Sequence, residues 1–198
     1  MKIIKSPSPN FSNTTFKKIG VQIHKTLGLM PWTLKWLQNP KANASANYLI
    51  TRKGEIHELV PVNKRAWSAG RIYKPSERAR KIMKRYAWGS YVKPGHYLVQ
   101  IEFECLLTQT FTQKEYSSAI QLFKSFDNKF NVPNFVNENS ILEHQDTASY
   151  KPEMEKERAE ILKRIIPVKP PITPKAPKEN RNREKTIKEI IRLLKTLK

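Results

Sequence analysis

Apolar residues recur along this chain in short runs of period two, separated by turn residues, and in a few longer stretches of helical period. Residues 19–25 (IGVQIHK) read as a short buried strand. ANYLIT at 46–51 alternates, Arg52-Lys53-Gly54 turns, and EIHELVP at 55–61 alternates again, which predicts a hairpin. Residues 97–106 (YLVQIEFECL) predict a strong strand and 140–143 a short one. Residues 32–38 read as one or two helical turns closed by Asn39-Pro40. Trp32 and Trp36 stand at i and i+4 there and are expected on the inner face. Residues 75–88 (PSERARKIMKRYAW) predict a basic helix starting at Ser76. Apolar positions 116, 119, 120, 123 and 126 predict an amphipathic helix over 112–130. Thr112 is its expected N-cap, with Glu115 three residues on. A charged helix is expected over 152–166, and residues 1–18, rich in Pro, Ser and Asn, read as an irregular arm.

Strands alternating with helices predict an α/β fold over 19–166: a single domain with a mixed central β-sheet flanked by helices. At Pro167 the pattern breaks. Residues 167–182 are Pro-rich and lack apolar periodicity, which predicts a linker. Residues 183–198 place Ile187, Ile190, Ile191, Leu194 and Leu197 on one face and basic residues on the other. That is a C-terminal basic amphipathic helix of the kind that lies on an anionic membrane, docks on a partner or binds a wall polymer.

Charge narrows the partners. The 198 residues carry 37 Lys+Arg against 17 Asp+Glu, a net charge of +20. Ten Lys/Arg and three Glu fall in 167–198, so the rest of the chain is basic as well. An anionic partner follows, and the absence of any nucleic-acid motif argues against specific nucleic acid. The single cysteine, Cys105, excludes a disulfide framework and a Cys-rich zinc ribbon, and reads as a small buried residue. No apolar run approaches the ~20 residues of a membrane-spanning helix. The basic start lacks an apolar core segment, so a secretory signal is not expected and a cytoplasmic origin is.

Four histidines are available: His24, His57, His96 and His144. His24 ends one predicted strand and His144 follows another, with Lys151 and Glu153 a few residues on. A catalytic zinc takes three protein ligands from His and carboxylate and keeps one position open. His57 and His96 read as structural or surface residues, and Tyr48 as core.

The order GVQIHKTLG, then WLQNPKANASANYLITRKGEIHELVPVNKRAWSAG, YLVQIEFEC and ILEHQDTASYKPE resembles the zinc-dependent N-acetylmuramoyl-L-alanine amidases, the type 2 amidase group, over about 19–166. The resemblance implies hydrolysis of the amide between N-acetylmuramic acid and L-alanine in bacterial peptidoglycan. It implies Zn2+ bound by His24 and His144, with Glu153 in the place of the third ligand. Glu102, in VQIE, matches the family's glutamate, and Lys151 its catalytic lysine. Glu104 shares a strand face with Glu102 by period two and is the rival carboxylate. Asp146 is expected to fix the His144 imidazole or its loop. Asn47 and Ser68 stand where the family has histidines, and with Trp67 they are expected near the substrate groove. With the composition, the resemblance points to a phage lysin that waits in the host cytoplasm until its release to the wall, or to a virion-associated wall hydrolase. The alternative is a peptidoglycan-binding module of the same fold without catalysis.

Overall fold

The computed structural model describes residues 1–13, 16–89 and 91–165. The linker expected at 167–182 and the helix expected at 183–198 lie outside the described residues. The strands are β1 (Ile3–Lys5), β2 (Phe11–Ser12), β3 (Gly20–Lys25), β4 (Tyr48–Ile50), β5 (Ile56–Glu58), β6 (Arg65–Ala66), β7 (Leu98–Phe103) and β8 (Ile141–Glu143). The helices are α1 (Trp32–Gln38), α2 (Glu77–Arg85), α3 (Gln113–Phe130), α4 (His144–Thr147) and α5 (Glu155–Ile165).

Six strands form one mixed sheet in the order β1-β5-β4-β7-β3-β8. All neighbours run parallel except β4 and β5, the predicted hairpin. Its turn needs Gly54, at φ +84°, where only glycine sits without a Cβ penalty. At the far edge β3 and β8 approach so closely that a Cβ on Gly20 would collide with the Ser140 carbonyl oxygen.

Alternation along the strands sorts two layers. Val21, Ile23, Val99, Ile101 and Ile141 turn to the face covered by Tyr116, Leu122, Phe123 and Phe126 of α3 and Ile161 of α5. On the opposite face Leu49 packs with Leu37 of α1, and Leu98 and Leu142 with Ala79 and Ile82 of α2. The architecture is the predicted one: a mixed sheet between helices. Ser76 caps α2, and Thr112 and Glu115 close a reciprocal capping box on α3 at 3.2 and 2.7 Å.

Two expectations are corrected. Residues 1–18 are not simply an irregular arm. β1 adds a strand to the sheet along β5, Ser6 and Ser8 donate to the Glu58 and Leu59 carbonyls at 3.0 and 2.9 Å, and β2 pairs with β6. These strands are two or three residues long, too short for a period to show, and they borrow their order from the edge they join. Trp32 and Trp36 do not face inward; they are 71% and 56% exposed. The buried stripe of α1 is Thr33 and Leu37, one position along and so about 100° round the helix.

Candidate active site

β3 and β7 lie side by side with matched register: Val21 opposite Val99, Gln22 opposite Gln100, Ile23 opposite Ile101, and His24 opposite Glu102. VQIH meets VQIE. The two valines and isoleucines enter the core, so the polar partners share the other face. β8 lies on the other side of β3 and ends at Glu143, which delivers His144 to the same C-terminal sheet edge. Ligands of open α/β sheets gather at such strand ends.

The two imidazoles face each other. Nδ1 of His24 is 2.9 Å from Nδ1 of His144, with ring centroids 4.4 Å apart. Nε2 of His24 is 2.8 Å from Oε1 of Gln100; with Nε2 carrying the proton, Nδ1 presents a lone pair. Burial holds both rings neutral. It pushes His24 down to about 4, helped by the Lys151 charge and opposed by Gln100. His144 falls further, through burial, then His24 and Lys151. Two converging neutral imidazoles, one oriented from behind by an amide, are a donor set that fits zinc.

Glu102 stands next to this pair. Oε1 accepts a hydrogen bond from Ser68 Oγ at 2.9 Å, while Oε2 is buried with no partner among the described residues. Burial raises its carboxyl to about 7, against the downward pull of Ser68 and Lys151. Glu102, His144 and Lys151 line a cleft of about 630 Å³. Glu104, the rival, is spent on structure: its two oxygens accept from the backbone N–H groups of Met30 and Arg52 at 2.9 and 2.8 Å.

The other expected residues divide. Asp146 is buried and accepts from Ser76 Oγ, Arg78 Nη1 at 3.0 Å and the Glu143 amide at 2.9 Å, so it fixes the loop that carries His144. Ser68 and Trp67 line a second hollow beside Glu102. Asn47 is withdrawn from the groove. It is fully buried, donates to the Val60 and Pro61 carbonyls at 3.2 Å each and accepts from the Gln100 amide at 2.9 Å, so it welds β4 to β7. Glu153 is not brought to the histidines. It is exposed and does not line the cleft, and no group of three His, Cys, Asp or Glu suited to a metal occurs among the described residues. Its neighbours explain this: Pro152 and Met154 face the cleft and leave Glu153 outward.

Two contributions were missed. Gln100, whose signal was the repeated VQI tripeptide, orients His24. Lys25, also on the cleft wall, forms a buried ion pair with Glu157 at 2.9 Å, a partner 132 positions away that no local pattern announces.

The family described as N-acetylmuramoyl-L-alanine amidase matches residues 17–156. N-acetylmuramoyl-L-alanine amidase A of Achromobacter lyticus is 35% identical over 63 residues, which span 31% of this chain and 36% of that protein. The chain thus covers about a third of the length of that curated relative. Among solved structures, the catalytic domain of XlyA superposes with a TM-score of 0.58 at 17% identity, covering 84% of this chain and 100% of that one. An AmpD derivative gives 0.56 at 19% identity, over 79% and 93%. The endolysin N-acetylmuramoyl-L-alanine amidase LysCS of Clostridium intestinale gives 0.51 at 14%, over 81% and 95%. At these identities the structures speak for the fold.

Proposed function

Because the chain belongs to the N-acetylmuramoyl-L-alanine amidase family, we propose that it hydrolyses the amide between N-acetylmuramic acid and L-alanine in bacterial peptidoglycan, with zinc as its metal. The observation that carries this reading is the Glu102 carboxylate, one oxygen pinned by Ser68 and the other buried without a partner among the described residues, in one cleft with His144 and Lys151. Nδ1 of His24 and of His144 would hold Zn2+, whose Lewis acidity sharpens water as a nucleophile near neutral pH and polarises an amide carbonyl.

The protein groups supply the rest. Oε2 of Glu102 takes a proton from the attacking water and returns it to the leaving nitrogen, so the C–N bond breaks to a carboxylic acid and the free amine of L-alanine. Ser68 keeps the carboxylate turned so that Oε2 is the working oxygen. Lys151 brings a positive charge to the developing oxyanion. Gln100 holds the His24 tautomer.

We read the chain as a phage-type lysin held in the host cytoplasm until its release to the wall. The basic stretch 183–198 is then its contact with an anionic membrane or wall polymer. The charge of 167–198 supports this, ten Lys/Arg against three Glu.

The test is zinc content together with release of free L-alanine amino ends from purified peptidoglycan. Wild type is expected to hold one zinc and release alanine. Glu102→Gln is expected to lose about 10²-fold or more in kcat while keeping its metal. Glu153→Ala is expected to keep its zinc; loss of metal in that variant would restore Glu153 as a ligand. Deleting 167–198 is expected to spare hydrolysis of soluble fragments and weaken killing of intact cells. No zinc and no release from wild type, with wall binding retained, would leave the binding module as the function.

A further inference from the structure

The cleft at Glu102 differs chemically at its two ends. At one end α1 carries Trp32 and Trp36 along the cleft wall, both exposed and neighbours on the helix surface at i and i+4. Leu27 stands exposed beside them, and Lys35 Nζ lies 4.7 Å from the Trp32 ring centroid. At the other end, beyond Ser68, lies a hollow of about 530 Å³ walled by Asn43, Arg65, Trp67 and Lys93. Ala44 lines both spaces, and Ser68, in the second, touches Glu102, in the first. An aromatic wall and a cationic hollow therefore both adjoin the reacting groups.

Two adjacent indoles left in water are poorly placed for stability, and they match a ligand with flat, apolar C–H faces. Sugar rings present such faces, and peptide carboxylates do not. Arg65 and Lys93 form no ion pair among the described residues, so the far hollow holds unspent positive charge. Such a hollow fits a carboxylate. Of the lysines that line the aromatic side, Lys25 is already neutralised by Glu157, Lys35 lies over the Trp32 ring, and Lys151 stands with Glu102 and His144.

We propose that Trp32 and Trp36 form a stacking platform for the glycan strand and that the Arg65–Lys93 hollow receives a carboxylate of the stem peptide. The sugar–peptide amide is thereby laid across Glu102. The orientation rests on the amidase reading, whereas glycan stacking stands apart from it.

The experiment pairs binding with kinetics. Binding of chitotetraose, which carries no peptide, is followed by tryptophan fluorescence. Wild type is expected to respond. The double variant Trp32→Ala, Trp36→Ala is expected to lose the response and to raise KM for polymeric peptidoglycan about tenfold, the loss falling on KM rather than kcat. Trp32→Phe, Trp36→Phe is expected to restore KM. Tyr91→Ala, an exposed aromatic outside both hollows, is the control. Lys93→Ala is expected to raise KM for stems with free carboxylates and to do little once these are amidated. An unchanged KM in the folded tryptophan variant, or no response of wild type to chitotetraose, would overturn the platform. A Lys93→Ala effect that survives amidation would overturn the orientation. A wild type that binds chitotetraose through these tryptophans and releases no alanine would keep the platform and refute the amidase reading.

Discussion

Glu102 and Glu104 are two residues apart on one strand, and their surroundings give them different work. Glu104 is closed off by two backbone N–H donors, whereas Glu102, on the cleft wall, keeps one buried oxygen without a partner among the described residues. A carboxylate already holding two amides stabilises a loop; one with a spare lone pair beside a lysine can move a proton. The Lys25–Glu157 pair makes the complementary point. Both side chains are almost fully buried, so the pair survives only as a pair. Glu157→Ala is expected to cost about 3–5 kcal/mol, because it leaves the buried Lys25 ammonium with the Gln109 carbonyl but without its counter-charge. Urea titration checks this, and a cost below 1 kcal/mol would mean that Lys25 finds water instead.

At the scale of elements, the sheet edge depends on segments that look dispensable. β1 supplies the outer parallel strand and β2 clamps β6, the strand that leads into Trp67 and Ser68. Trp67 also donates from Nε1 to Ser12 Oγ at 2.9 Å, and Arg65 from Nη2 to the same oxygen at 2.7 Å. Removing residues 1–12 is therefore expected to lower the thermal midpoint and to loosen the Ser68–Glu102 contact, reducing kcat as well. Circular dichroism melting with a turnover assay checks both. A truncated protein that melts and turns over like wild type would return these residues to the status of an arm.

At the scale of the whole fold, some of the positive charge among the described residues lies in the interior. Lys18 is buried and points Nζ at the carbonyls of Gly95, His96 and Leu98, at 2.5, 3.3 and 3.3 Å. Burial, with the nearby Arg65, pulls its pKa down from 10.5 to about 7. Between those values the unfolded chain holds a proton that the folded chain has released, so stability rises with pH across about 7 to 10.5. Below 7 both states are protonated and this contribution to the slope vanishes. Lys18→Met is expected to flatten the rise in denaturant midpoint over that window. An unchanged slope would assign it to other groups.

Much of this was legible in the chain, for a physical reason. Strand, hairpin and helix patterns come from side-chain period, which is local. Thus β3, the β4–β5 hairpin, β7 and α3 with its capping box stand where the sequence placed them. His24 and His144 were legible as strand-end residues, and the registers that make them neighbours follow from burying the valines and isoleucines around them. What only the tertiary structure decided depends on distant partners. A three-residue strand such as β1 has no pattern until β5 offers an edge. α1 turned Trp32 and Trp36 outward because Leu37 fills the space above Leu49. Asn47 was drawn into the wall by carbonyls that only the folded hairpin presents, and Glu153 was left outside because its neighbours took the cleft. Periodicity states which face of an element is apolar; which polar side chain finds a partner depends on what arrives from elsewhere in the chain.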